Sequence, residues 1–321
     1  MKALLIGIWV AIGIFSAAEA QTWPSRTVKI ILPHAAGGGA DAVARVLGQQ
    51  LSATFSQRFI VENRPGASGM IGAAVVAKAE PDGYTLMVGS PAETALNQTL
   101  FKDMTYDPLT ELAPITLIAW TPMVLAAHPS FEASNTTELL ALAKARPGAI
   151  NYSTPGVGSS HHFTGEFIRF TQNVNITHVP YRGAAPAVTD ALGGQVKLTI
   201  SGMPPVVPHL QSGGLKAIAV TSKKRAAAYP DIPALAETKG LEDCDFTNWF
   251  GLFAPAGTSP DIIKKLHEAS VKALKDPAVR KLIGNQAAEP VGNTPEEFRT
   301  YIHAEAAKYG KLVELTGIKV K

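Results

Sequence analysis

Apolar residues along this chain follow two habits: short β-branched runs closed by proline or glycine, and longer stretches in which they return every three or four positions. The first habit fits buried strands, the second helices with one covered face. Val28, Ile30, Ile31 and Leu32 form a strand that Pro33 ends, and after Gly37, Gly38 and Gly39 an amphipathic helix runs to Leu47. Arg58 to Glu62 is a second strand. A loop from Asn63 leads into an alanine-rich helix from Gly69 to Ala79, and Pro81-Asp82-Gly83 turns the chain into the strand Tyr84 to Val88. Strands alternating with helices in this way predict a parallel sheet covered on both faces, in which ligands sit beyond the carboxyl ends of the strands.

Ile115 to Ala119 and Met123 to Ala127 read as two strands, and Pro122 between them predicts a break and a passage between domains. A second series follows, with helices over 137–145, 161–170, 184–192 and 206–211 and strands over 149–153, 176–179, 197–201 and 215–220. Phe163, Phe167 and Phe170 share one helical face and are expected in the core. Asp245 to Ala254 is an aromatic-rich strand. Ser259-Pro260-Asp261 and Thr294-Pro295-Glu296-Glu297 each open a helix with proline in its first turn. These last helices have no sheet of their own, so the simplest topology returns them to the first one. The expected fold is α/β in two lobes, each a mostly parallel sheet flanked by helices, joined by two crossings. Lobe 1 takes residues 21–121 and 246–321, and lobe 2 takes 122–245.

Composition narrows the picture. With 46% hydrophobic and 17% charged residues, the 321-residue chain reads as globular with room for two domains, and a net charge of +3 is too small to imply nucleic acid. A lone cysteine, Cys244, excludes an intrachain disulfide and a thiolate metal site. At the N-terminus, Lys2 precedes an apolar run from Ala3 to Phe15, and Ala18-Glu19-Ala20 supplies a small-x-small cleavage site. This is the pattern of an export signal, giving a periplasmic chain that starts at Gln21 with no lipid-box cysteine.

The glycine turn at 37–39 lies between a strand end and a helix start, where amide N–H groups lack internal partners and the helix dipole favours an anion. Such a turn also serves simply to reverse the chain, and Asp41 is then only a helix N-cap. It is neither G-x-G-x-x-G nor a Walker loop, so no phosphate-handling enzyme is indicated and no cofactor is expected. Asn151 to His162 repeats the pattern: Gly156 and Gly158 make the turn and Ser159 or Ser160 stands at the cap. Two such helix starts on opposite lobes favour a ligand anionic at both ends. His162 and Glu166, four apart, lack a third metal ligand. Arg182, in the turn Val179 to Gly183, suits a carboxylate, although a solvated arginine fits the same pattern. Ser90, Ser201 and Asn248 add small polar groups near strand ends. A secreted hydrolase would draw on Ser159 or Ser160 beside His161 and His162, but there is no G-x-S-x-G elbow and no S-x-x-K, so no catalytic residue is assigned.

Beyond these local features, PHAAGGGADAVAR, VENRPGASGMIGA, PDGYTL, STPGVGSSHH, HVPYRG, IAVTSKKR, WFGLFAPAGT and TPEEF occur in an order and spacing that resemble the tripartite tricarboxylate transporter receptors, the Bug family of periplasmic solute-binding proteins. The resemblance covers essentially the whole mature chain. It implies a type II-like two-lobe binding protein, a monomer, that captures a small carboxylate between its lobes and delivers it to membrane permease subunits. A partner role beside a signalling receptor is compatible with the same fold. It also implies that one ligand carboxylate is held by backbone groups and ordered water at Ala35, Ala36, Gly37, Gly38, Gly39, Ala40 and Asp41. The second lobe would contribute Gly158, Ser159, Ser160 and His162, with Tyr181, Arg182 and Gly183. Two departures stand out from the family pattern. His34 replaces an aromatic residue and offers a hydrogen bond, and Ala40 replaces a hydroxyl-bearing residue and removes one.

Overall fold

A computed structural model describes residues 23–318, so the export-signal reading of residues 1–20 lies outside the described residues. The first half contains β1 (Val28–Leu32), α1 (Gly39–Phe55), β2 (Phe59–Asn63), α2 (Met70–Ala77), β3 (Thr85–Gly89), a π-helical turn (Ala92–Leu96), α3 (Asn97–Leu100) and β4 (Leu112–Ala127). Next come α4 (Thr136–Ala145), β5 (Ile150–Thr154), α5 (Ser160–Thr171), β6 (Ile176–Pro180), α6 (Ala184–Leu192), β7 (Leu198–Gly202), α7 (Met203–Gln211) and β8 (Lys216–Val220). The chain closes with β9 (Thr247–Pro255), α8 (Pro260–Lys275), α9 (Pro277–Gly284), β10 (Glu289–Pro290) and α10 (Pro295–Thr316). Among the described residues no helix is long and apolar enough to cross a membrane.

The strands run in the order β2-β1-β3-β9-β4-β7-β5-β6, with β8 and β10 also on β4. β1 is parallel to β2 and β3, and β5 is parallel to β6 and β7, while β9 and β4 are antiparallel to their neighbours. Helices cover both faces of each half. Val43, Leu47 and Leu51 of α1 pack with Leu266 of α8 on one face of β1 and β3, and Ala73, Val76 and Phe298 pack on the other. In the second half Tyr152, Phe163 and Ile176 fill one side, and Val188, Val206 and Val220 the other. α10 reaches both cores, burying Phe298 and Ile302 with the first and Tyr309 and Leu312 with the second.

Two local expectations are corrected. Pro122 does not break a strand, because β4 is continuous over 16 residues. The proline falls where the ladder changes partners: pairing with β9 ends at Pro122–Thr247, and pairing with β7 begins at Met123–Gly202. A missing N–H is tolerated at such a changeover, as it is at a sheet edge. Phe170 is exposed, because it lies in the last turn of α5, whereas Phe163 is buried in the core and Phe167 packs against it.

Candidate functional site

In the first turn Gly37 takes φ +86°, a conformation that favours glycine, whereas Gly38 has ordinary extended backbone (φ −85°, ψ 175°) and is the N-cap of α1. A Cβ at either position would meet nothing within 4 Å, so the turn stands open. Asp41 is therefore not the cap. Its buried carboxylate accepts hydrogen bonds from Gly37 N–H (3.1 Å), Arg45 Nε (2.9 Å) and Asn63 Nδ2 (3.0 Å). Burial is the largest influence on its pKa and raises it, but these bonds and the Arg45 charge outweigh burial and hold the carboxyl below the usual range. Asn63 Nδ2 also donates to the His34 carbonyl (3.0 Å). Both ends of the turn are thus tied to β2, and the N–H groups of Gly38, Gly39 and Ala40 have no protein acceptor among the described residues.

Beside this turn, at the end of β3, Ser90 does not face outward. Its N–H (2.5 Å) and hydroxyl (2.8 Å) both donate to Glu93, which is fully buried. The Glu93 carboxylate also faces His34 Nε2 at 3.4 Å. Burial is the strongest influence on His34 and opposes its proton, yet the charge and polar contact of Glu93 prevail and raise its pKa.

The second turn is built differently. Gly158 takes φ +75° and donates its N–H to His162 Nδ1 (3.2 Å), while Ser159 caps α5, its hydroxyl accepting from His162 N–H (3.3 Å) and donating to the Gly156 carbonyl (2.8 Å). Ser160 Oγ lies 3.5 Å from Met123 Sδ. Neither serine bonds an imidazole nitrogen, so the pairing that a serine hydrolase needs is not formed there. The N–H groups of Ser160 and His161 remain free of protein acceptors among the described residues. Beneath them the His162 and His178 rings stack at 4.0 Å, and Thr154 Oγ1 meets His178 Nε2 at 2.7 Å. Glu166 sits 4.0 Å from His162 Nε2 and accepts from Arg169 Nε (2.7 Å). Burial pushes His161 and His162 down to about 4 and His178 to about 3, with the Arg169 charge adding to the effect on His162 and the His162 charge to that on His178.

Strand register points the strand ends that carry the two turns towards the same middle stretch of β4. Gly89 pairs with Gly251, and Gly202 with Met123, so β3 and β7 direct their carboxyl ends towards the middle of β4 from opposite sides. β1 follows β3, and β5 and β6 follow β7. At their meeting a Cβ on Gly39 would lie 3.8 Å from both Pro204 of α7 and Gln286 Oε1. Ala35 and Ala36 are exposed in the first turn, and Ala40 is buried in the first turn of α1.

Several sequence-predicted residues turn out to be committed elsewhere. Tyr181 donates its hydroxyl to Asp190 (2.6 Å), and Gly183 gives its N–H to the Pro155 carbonyl (2.9 Å). Ser201 is fully buried with its hydroxyl unpartnered, and Asn248 is half-buried opposite Thr121. Arg182 is exposed without a side-chain partner among the described residues. Asn63, Glu93 and Gln286 were not anticipated. For Glu93 a signal exists, since Ser90-Pro91-Ala92-Glu93 is a capping-box pattern. A separate cavity of about 480 Å³ at the far pole is lined by Thr110, Pro114, Lys264, His267 and Arg299. The helix starts there are capped, by Ser259 for α8 and by Thr294 with Glu297 for α10, and each opens with a proline that has no N–H, so they offer fewer free donors than the central turns.

The model of the tripartite tricarboxylate transporter family receptor matches residues 43–318. BugT of Bordetella pertussis is 36% identical over 319 residues, spanning 99% of this chain and 98% of BugT. Among solved structures, an R. palustris protein with adipate is 33% identical with a TM-score of 0.85, covering 92% of this chain and 99% of that one. MatC from Rhodopseudomonas palustris with bound malate is 30% identical with a TM-score of 0.81, covering 91% and 100%.

The buried histidines give a pH signature. His161, His162 and His178 are neutral when folded, whereas in the unfolded chain each takes a proton near its ordinary value of 6.5. The unfolded state therefore binds more protons below that pH, and stability falls from about pH 6.5 towards pH 4, by on the order of 2 kcal/mol per ring. His34, with its pKa raised, works the other way: its contribution grows as pH falls through its folded titration and is fully present only below 6.5, so it opposes the fall near pH 7 and adds little slope below about pH 6. Urea midpoints measured between pH 7 and pH 5 should fall, and less steeply in His178→Asn. A flat profile in the wild-type chain would contradict the buried neutral cluster.

Proposed function

The chain belongs to the tripartite tricarboxylate transporter receptor family, and from that footing we propose that it captures a small dicarboxylate between its two halves for membrane permease subunits. The observation that carries the reading is a pair of donor sets left without protein acceptors among the described residues, Gly38 to Ala40 N–H on one side of β4 and Ser160 and His161 N–H on the other. Each set stabilises an anionic group, and a helix dipole adds to both. A ligand charged at both ends engages both sets only when the halves close, so its differential affinity shifts the population towards the closed form. Residues 21–121 with 246–321, and residues 122–245, are the lobes on this reading, flexing where β4 changes partners. Val157 and Pro204 supply an apolar middle, which suits a carbon chain and disfavours a highly charged ligand.

Support comes from relatives of known ligand: one R. palustris structure carries adipate and MatC carries malate. A receptor role needs no catalytic residue, in keeping with capping serines that make no imidazole contact. Export through the N-terminal signal completes the reading. Intact mass of the chain secreted by its host should correspond to a start at Gln21, and retention of Met1 to Ala20 would defeat the periplasmic assignment.

Calorimetry over a panel of aliphatic and aromatic dicarboxylates tests the ligand class. The tightest of them should bind at least about tenfold more strongly than its singly amidated analogue, a difference of about 1.4 kcal/mol. Equal affinities, or preference for an uncharged sugar, would remove the two-ended model.

A further inference from the structure

Glu93 poses a problem for any anion at the first turn. Its carboxylate is fully buried, and among the described residues no lysine or arginine nitrogen lies within ion-pair distance of it. The one basic group facing it is His34, whose Nε2 is sealed from solvent, lies 3.4 Å from Oε1, and has no other partner. The His34 side chain as a whole is 34% exposed, so the ring shows its other atoms at the surface beside the open glycine turn. Resting on the dicarboxylate reading, we infer that His34 is a specificity-determining residue, a protonated counter-charge that neutralises Glu93 and admits a carboxylate to the N–H groups of Gly38, Gly39 and Ala40.

The chemistry follows from two ring nitrogens with separate tasks. An imidazolium turns one ring nitrogen to Glu93 at ion-pair distance and presents its remaining positive edge to the turn, whereas a neutral ring leaves the Glu93 charge uncompensated, and that charge repels an incoming anion. Other charged groups packed around His34 do not replace it. Asp41 and Arg45 of α1 form a pair with each other, joined to the His34 carbonyl only through Asn63 of β2. α2 carries no charged residue. The raised pKa of His34 agrees with this assignment and contrasts with the depressed histidines of the second turn. Affinity for a dianion should therefore be full where His34 is protonated and fall as pH rises through its titration.

Two measurements separate this inference from the reading beneath it. Imidazole NMR titration of the ligand-free chain should show His34 holding its proton to higher pH than His162 or His178. Glu93→Gln should lower the His34 midpoint by at least about one pH unit, and an unchanged midpoint would overturn the ion pair. Adipate, malate and malonate are then titrated at two pH values, one well below and one well above the His34 midpoint found by that NMR titration, both where carboxylic acids are already largely ionised. Wild-type affinity for whichever binds should drop about tenfold, and His34→Gln should bind weakly at both pH values with little difference between them. A pH-independent wild-type affinity would overturn the role of His34 in admission. If none of the three binds, the tightest member of the dicarboxylate panel takes their place; if no dicarboxylate binds, the ligand reading fails and the admission role of His34 with it, while the ligand-free titration still decides whether Glu93 and His34 form the charge-compensating pair.

Discussion

The site depends on where unpaired backbone N–H groups are forced to lie. Every α-helix leaves its first N–H groups without internal acceptors, and a strand-to-helix turn puts them beyond the carboxyl end of the strand. In this chain β1 and β3 in one half, and β5, β6 and β7 in the other, aim those ends at the middle of β4. Register therefore aims both sets of donors at the same stretch of β4 before any side chain is considered. The surrounding residues decide which donors stay free. Asp41 consumes Gly37 N–H and His162 consumes Gly158 N–H, and the following helix starts are left open.

Electrostatic tuning differs sharply between the two turns. The second rests on stacked neutral imidazoles, where burial excludes charge, and Glu166 is matched by Arg169. The first holds Glu93, a buried carboxylate that accepts from Ser90 and, among the described residues, has His34 as its one basic neighbour. A receptor that must take an anion next to Glu93 needs that neighbour, since burying an uncompensated charge is costly. In a family whose members share the fold, a residue pair of this kind can separate one ligand from another without altering the scaffold.

Much of this architecture was legible in the sequence because β-branched runs and glycine turns are local signals. The alternation from Val28 to Val88, the second series from Ala149 to Val220, and the proline-led helix start at Thr294 all correspond to observed elements. What escaped depends on tertiary partners. Pro122 reads as a breaker until the change of ladder neighbours at that position is known. Asp41 reads as a cap because spacing cannot show that Gly37, Arg45 and Asn63 converge on it. Tyr181 and Gly183 looked available, yet Asp190 and the Pro155 carbonyl occupy them. Gln286 carried no motif, and only folding brings it beside Gly39.

Backbone amide NMR tests most directly whether both helix starts hold one ligand. On titration with the dicarboxylate that binds tightest, the amides of Gly38, Gly39 and Ala40 and those of Ser160 and His161 should shift together, with one common midpoint. Its singly amidated analogue should shift one set strongly and the other weakly. Shifts confined to one turn, or two sets with different midpoints, would contradict capture of a single two-ended anion between the halves.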